Sequence, residues 1–489
     1  MKNYHVDVLV CGGGPAGVAA AVHAGRRGAR TMIIEQLGSF GGLMTNDFVT
    51  GIAGHMCGFV QEYVDRLYEK GWACKYIHDC VEPEKGKFML EQMVLEAGVQ
   101  IMYYTTLVDV RVEDGHLISA ICHNKGGLFE VEADLFIDAT GDGDLGAYAG
   151  GICDSGSNQY GGYNAPTSIA FRMAGVNLIK YKEASDAWSK TDAAKGKGSY
   201  SYDLFSQAIA NKDMPDFVFP GCLAYKVPGT PDECADVTID LCHAYRCRNL
   251  DPEDVTRQTI EQHREMIMLE EVFKKYFPGY ENCRIVAIGS LPGMRETRRV
   301  IGDYILTDKD VLVGSKFEDG ITIVTDVLCQ HHPTSCRKGF IAHAHFDKPV
   351  EGVVNWPAGR CNDWDMHPFM EGRGYEVRNN QETYCEIPYR CLVPKGLDNI
   401  LTAGRCVSTT WHAQIASRLI APSFSLGHAA GVAAGLCLEK GVLPHDLDGR
   451  LVRKELVEAE EYAMPLDPGI QRRKPKELVL HGEQLRAHY

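Results

Sequence analysis

The sequence predicts a mixed α/β fold with a parallel sheet, on three observations. Residues 6–35, "VDVLVCGGGPAGVAAAVHAGRRGARTMIIE", run an apolar strand into a glycine cluster, an alanine-rich helix and a second strand. Residues 133–150, "ADLFIDATGDGDLGAYAG", are an apolar strand that ends in a glycine- and aspartate-rich turn. Residues 423–435, "SFSLGHAAGVAAG", form a second helix of small residues, far along the chain. Strands alternating with helices build parallel sheets covered by helices. Because pieces of this kind sit at both ends, the sheet domain is expected to be discontinuous. Its two parts are placed at 1–153 and 388–450. An inserted α+β domain, the place for a substrate, is expected at 154–387, and a C-terminal helix and tail at 451–489.

Val6 to Cys11 is a short apolar run, as for a strand buried on both faces. The spacing G-x-G-x-x-G falls on Gly12, Gly14 and Gly17. The helix is expected from about Pro15 to Arg27, with Ala19, Ala20, Ala21 and Ala24 letting it lie close to a sheet. Arg30 to Ile34 form the second strand, and Glu35 ends it. In such a unit the first glycine permits the tight turn, the second admits a pyrophosphate, and the third packs helix on strand. The helix N-terminus offers N–H groups and partial positive charge to phosphates. Glu35 is placed to accept from a ribose and to repel a 2′-phosphate. This Rossmann-like unit makes Gly12, Gly14, Pro15, Ala16, Gly17, Glu35 and Gln36 candidate contacts to a dinucleotide.

Composition narrows the partners. The formal net charge is −15, so phosphate backbones and anionic lipid are poor partners, and neither nucleic acid nor membrane is expected. The N-terminus reads without a signal segment, and the chain reads without an apolar stretch of spanning length. Eighteen cysteines are scattered without a C-x-x-C pair, as for reduced thiols in a cytoplasmic protein. That pattern argues against an iron–sulfur cluster or zinc ribbon, and no metal is expected.

"GSFGGLMTN" (38–46) places Gly41, Gly42 and Leu43 soon after the ribose acid, which suits a long bent ligand. The turn Thr140, Gly141, Asp142 closes the second unit, and Gly404 and Arg405 close a late strand at Asn399 to Ala403. With "EPEKGKFMLEQMVLEAGVQI" (82–101), "LPGMRETRRVIGDYILTDKDV" (291–311), "IPYRCLVPKGLDNILTAGRCVS" (387–408) and "LGHAAGVAAG" (426–435), the chain resembles bacterial FAD-dependent oxidoreductases. Their flavin domain is related to those of glutathione reductase and fumarate reductase flavoproteins. The resemblance implies a Rossmann-like FAD-binding domain and FAD as cofactor. It implies that Gly404 and Arg405 approach the ribityl chain and phosphates. It also implies that the final helix, expected from Ser423 to Glu439, meets the flavin at Leu426 and Gly427. Leu107 would meet adenine through its backbone. NADH, a quinone or a partner protein could each exchange electrons with the flavin.

In the inserted region "PTSIAFRMAG" (166–175) reads as a strand, 186–200 as a loop, and 298–306 as a strand. A helix follows Asp251, with Ile260, Ile267, Phe273 and Phe277 as its apolar stripe. His367, two residues after Asp365, is the candidate general base for an alcohol or amine. Arg295 and Arg418 are candidate substrate or cofactor cations. His412 stands where the family resemblance implies a His-Glu pair. "CQHHPTSC" (329–336), "AHAHF" (342–346) and "CHAYRC" (242–247) do not assemble a four-ligand metal set. The reading is a dehydrogenase or oxidase that transfers hydride between a small organic substrate and flavin. The alternatives are a fumarate-reductase-like ene-reductase, clamping its substrate through Arg295, Arg418 and Arg390, and a flavin-carrying electron-transfer subunit.

Overall fold

The computed structural model describes residues 2–76, 78–194, 199–215, 223–313, 315–324, 330–334, 340–341 and 385–458. The chain opens with β1 (Lys2–Cys11), α1 (Pro15–Arg26) and β2 (Thr31–Ile34). Pro15 presets φ in the first turn of α1, where its missing N–H costs nothing. α2 (Gly42–Asn46), β3 (Gly51–Ile52), α3 (Gly58–Glu69), β4 (Ala73–Lys75) and β5 (Asp79–Val81) follow. The last three strands pair antiparallel around β5. α4 (Pro83–Glu96) is capped by the Glu82 side chain, which accepts from Lys85 N. β6 (Gln100–Met102), β7 (Thr106–Glu113), β8 (His116–Asn124), β9 (Gly127–Asp138) and α5 (Asp144–Tyr148) complete this part.

One seven-stranded sheet has the order β6-β2-β1-β9-β8-β7. β1 lies between β2 and β9, parallel to both. Alternate residues of the apolar strands serve opposite faces. Val8, Val10, Ile33 and Ile137 enter the core beneath α1, whereas Leu9, Cys11, Met32, Ile34 and Phe136 enter the core on the other face.

β10 (Cys153–Ser155), β11 (Phe171–Val176), α6 (Leu178–Ser189), α7 (Tyr200–Ala210), β12 (Leu223–Lys226), β13 (Ala235–Asp240), α8 (Pro252–Tyr276), β14 (Arg284–Ile288) and β15 (Arg298–Val300) come next. A four-stranded antiparallel sheet, β12-β13-β11-β14, carries its own core of Phe171, Met173, Phe205, Val237, Ile239, Leu269 and Phe273. Three local expectations change. Residues 186–189 end α6 instead of lying in a loop, and strand structure in 298–306 stops at Val300. On α8, Ile260 and Ile267 are 46% and 66% exposed. The buried face instead runs through Gln258, Gln262, Glu265, Leu269 and Val272, because Gln258 and Gln262 both hydrogen-bond the buried Thr167 hydroxyl.

The remaining elements are α9 (Asp308–Val313), β16 (Gly320–Val324), β17 (Gln330–His331), β18 (Phe340–Ile341), β19 (Cys385–Pro388), β20 (Ile400–Thr402), α10 (Ile415–Arg418), α11 (Ile420–Lys440) and α12 (Gly449–Glu458). β20 rejoins the first sheet, parallel to β9. β16 pairs with β19, and Leu306, Val311, Ile321, Ile323 and Ile387 join the core of α1 and α11. The stretch 154–387 therefore feeds two cores: residues from Ile169 to Cys283 build the second, while residues from Leu306 onward return to the first. Contrary to the sequence reading, α11 is long and apolar enough to cross a membrane by length and composition alone. Its apolar window is 94% buried inside the protein, so it serves as a core helix.

Candidate active site

Gly12 turns the chain at φ +102°, a conformation L side chains rarely adopt. A Cβ on Gly17 would lie 1.8 Å from the Gly12 carbonyl oxygen, so helix and strand meet there backbone to backbone. Gly14 is different. A Cβ there would meet only Gly42 Cα, at 4.0 Å. A Cβ on Gly42 would lie 3.1 Å from Gly14 Cα, so the first turns of α1 and α2 meet there backbone to backbone, and neither helix has a side-chain cap or an acid in its first turn. Two uncapped N-termini that meet at glycines suit a pyrophosphate. The buried Glu35 carboxylate accepts from Gly13 N and Leu37 N, both at 2.7 Å. Burial raises its pKa and those backbone N–H groups oppose the rise. Gln36 is exposed beside it. Thr105 N donates to Glu35 O at 2.9 Å, which brings the start of β7 alongside, while the Leu107 side chain packs into the sheet core.

The late elements close on the same cradle through Ala16. A Cβ on Gly404 would lie 2.9 Å from Ala16 Cβ, and one on Gly427 would lie 1.9 Å from Ala16 O. Arg405 pairs with Asp142 at 2.8 Å, directly beside Gly141, and Thr297 donates to the same Asp142 oxygen at 2.7 Å. Thr140 is held by Asp138, whose side chain accepts its N–H and its hydroxyl. Burial pushes the Asp138 carboxyl up to about 6. The structure thus gathers Gly12–Gly17, Glu35, Gly41–Leu43, Thr140–Asp142 and Gly404–Arg405. Leu426 and Gly427 stand differently from the expectation. α11 starts at Ile420, so their N–H groups lie inside the helical ladder. Leu426 is fully buried in the core and Gly427 abuts α1, so the orphan donors of this helix belong to the 420–423 turn. The uncapped first turns at Gly14 and Gly42, the buried Glu35 and the Arg405 guanidinium fit FAD.

Arg295 is buried and engaged within the protein. It donates to Pro166 O at 2.9 Å and to His243 Nε2 at 3.0 Å, and lies 3.8 Å from Asp240. Because His243 Nε2 accepts, its Nδ1 carries the hydrogen donated to Leu241 O at 2.7 Å. Burial, with Arg295 beside it, lowers the His243 pKa to about 4. Arg418 ends α10, and its charge acts on His331, which packs 5.1 Å from the His243 ring. His412 pairs with Asp308 at 3.1 Å and touches Trp411 and Tyr160. His367 and Asp365, with Cys329, Cys336, His343 and His345, lie outside the described residues. Among the described residues, no cluster of three or more His, Cys, Asp or Glu forms a metal site. Burial raises the thiol pKa of Cys247 to about 11 and that of Cys242 further. Sequence reasoning missed Asp47, Asp240 and Thr297. Only the position of Asp47, straight after the Gly41–Gly42 turn and its short helix, could have signalled one of them.

Fold and cradle define a Rossmann-type flavoprotein. A family model for FAD dependent oxidoreductases matches residues 7–456, so the chain belongs to that family; it is an oxidoreductase and its cofactor is FAD. It is 30% identical over 159 residues to a thiamine thiazole synthase of Methanococcus aeolicus, covering 29% of this chain and 57% of that one. It is 30% identical over 156 residues to digeranylgeranylglycerophospholipid reductase 1 of Methanothermobacter thermautotrophicus, covering 28% and 39%. The matches therefore span about half the length of these curated relatives. A geranylgeranyl bacteriochlorophyll reductase-like protein from Thermoplasma acidophilum superposes with TM-score 0.44 at 12% identity, over 94% of this chain and 85% of that one.

Proposed function

We propose that this protein is a cytoplasmic dehydrogenase or oxidase that moves a hydride between FAD and an alcohol- or amine-type carbon of a small organic substrate. The observation that carries this reading is the engagement of Arg295 and Arg390, two of the three arginines that would clamp an enoate. Reduction of an enoate needs a guanidinium directed at the substrate carboxylate. Arg295 instead serves Pro166 O, His243 and Asp240. Arg390 grips Asp319 with bonds of 2.8 and 3.1 Å at a separate surface cleft of about 500 Å³. FAD, when bound, supplies the two-electron acceptor. The protein's part is to hold the substrate at the seam of the two cores, shed water there and exchange a proton. Free buried thiols such as Cys11, Cys122 and Cys406 support a reducing compartment.

The test is anaerobic. Purified yellow protein is mixed with panels of alcohols and amines, and flavin bleaching is followed. Photoreduced protein is mixed with enoates in parallel. Bleaching by an alcohol or amine supports the reading. Reoxidation by enoates alone would replace it with the ene-reductase.

A further inference from the structure

A buried carboxyl sits at the seam between the two cores, on an element that begins at the cofactor cradle. Asp47 follows α2, whose first residue faces Gly14. Five helical residues at about 1.5 Å each carry it roughly 7 Å from that contact. Its side chain is fully buried. Oδ1 accepts Ala170 N at 3.0 Å, and Oδ2 has no hydrogen-bond partner among the described residues. The second domain leaves a slot for this carboxyl. A Cβ on Gly289 would lie 2.1 Å from Oδ1, and one on Gly293 would lie 2.4 Å from Oδ2.

A second carboxyl faces the same place. Asp240 ends β13 and is 8% exposed; its Oδ1 also has no hydrogen-bond partner among the described residues, and its Oδ2 lies 3.8 Å from Arg295. The two carboxyls repel each other, and Arg295 is the cation that acts on Asp47. One guanidinium faces two carboxyls here, and burial with the Asp240 charge pushes the Asp47 pKa up. The cluster is tied to the late cradle loop as well. Gln414 Nε2 donates to Arg295 O at 2.9 Å and to Arg405 O at 3.3 Å. Arg295, whose charge acts on Asp47, is thus tied through its backbone to the Arg405 loop.

Resting on the alcohol or amine reading above, we propose that Asp47 is the catalytic group that exchanges the substrate proton, with Asp240 and Arg295 as positioning residues. In the oxidative direction the substrate C–H bond breaks, and its hydrogen leaves with both electrons as hydride to FAD. The substrate O–H or N–H bond breaks, and its proton passes to Asp47 Oδ2. The freed pair forms the C=O or C=N bond, so FAD is reduced by two electrons and the carbon is oxidised by two. A site with Asp47 and Asp240 about Arg295 favours a neutral hydroxyl or an amine over a second carboxylate. The charged and titratable groups that act on Asp47 are Asp240 of β13 and Arg295, and the Cys242 thiol after β13 feels the Asp47 charge. Burial and the Asp240 charge raise the Asp47 pKa, and Arg295 opposes them. Asp47 must be ionised to accept the proton, so flavin reduction should rise with pH.

The test uses the full FAD-loaded protein and Asp47→Asn, with short-chain alcohols and amines as probes. Infrared difference spectra across pH are expected to show a protonated-carboxyl band in the wild type that is missing from Asp47→Asn. Asp47→Asn should retain FAD, slow flavin reduction by about 10²- to 10⁴-fold and lose the alkaline rise. Asp240→Asn removes a like charge, so it should keep the band and move the rise to lower pH. If Asp47→Asn fails to fold, that shift carries the test alone, and its absence would overturn the proposal. Wild-type rate and pH profile in Asp47→Asn would also overturn it, as would loss of the alkaline rise in His367→Asn alone. If no alcohol or amine bleaches the wild-type flavin, the functional reading fails and the catalytic role falls with it. The infrared band then decides only whether Asp47 holds a proton.

Discussion

Gly427 of α11 lies so close to Ala16 of α1 that a Cβ on it would stand 1.9 Å from the Ala16 carbonyl oxygen. The contact repeats along the crossing. A Cβ on Gly431 would lie 2.4 Å from Ala20 O. Here the two small-residue helices meet backbone to backbone, which is why both segments are rich in Gly and Ala. Gly427→Ala should force the helices apart and cost about 1–3 kcal/mol, as overpacking does. A lowered thermal midpoint of the full protein checks this, and an unchanged midpoint would refute the crossing geometry.

Gly14 and Gly17 should separate cofactor binding from folding. Gly14 has ordinary backbone angles, φ −70° and ψ −177°, and open space where its Cβ would stand. Gly14→Val should therefore fold and lose FAD, whereas Gly17→Val should not accumulate as folded protein, because it meets Gly12 O. The readouts are circular dichroism and the flavin-to-protein absorbance ratio. Mass analysis of the flavin released by the wild type should return FAD. Normal flavin occupancy in Gly14→Val would place the pyrophosphate elsewhere.

Arg299 and Glu296 are both fully buried and pair with each other. Glu296 also accepts from Gly156 N and Asn164, and Arg299 also donates to Thr409 O, so the pair binds three loops around the site. Arg299→Met leaves an unpaired buried carboxylate and should cost about 3–5 kcal/mol. Thermal unfolding reads the loss, and Glu296→Gln in the same background should recover part of it.

The stacked pair His23 and His428, with ring centroids 3.5 Å apart, should make the protein acid-sensitive. Burial lowers the His23 pKa from 6.5 to about 4 and that of His428 further. The unfolded chain therefore binds protons that the folded protein excludes, and stability falls as pH drops from about 6.5 toward 4. At about 1.4 kcal/mol per pH unit, His23 contributes roughly 3 kcal/mol to that loss. His23→Gln should flatten the decline in thermal midpoint across this window, and an identical slope would contradict it.

Much of the cradle was legible because its rules are local. The glycine spacing, the terminal Glu35 and the small residues of α1 each state a requirement within about thirty residues. Elements that depend on distant partners were less legible. Ile260 and Ile267 read as the buried stripe of α8, yet Thr167, far along the chain, selects Gln258 and Gln262 for the inner face. Leu426 and Gly427 read as flavin contacts, yet α11 begins at Ile420 and turns Gly427 onto Ala16.

By itself, the sequence determined the type of sheet, the strand–glycine–helix unit ending at Glu35 and the family of the chain. Short-range turn geometry and apolar periodicity are written residue by residue. The tertiary structure alone decided the fate of the charged residues. Arg295 reads as a free cation until β13 brings Asp240 and His243 beside it. Asp47 reads as an ordinary loop acid until Gly289 and Gly293 close around it. Burial and charge pairing are properties of segments that meet only in the folded chain, so no local pattern encodes them.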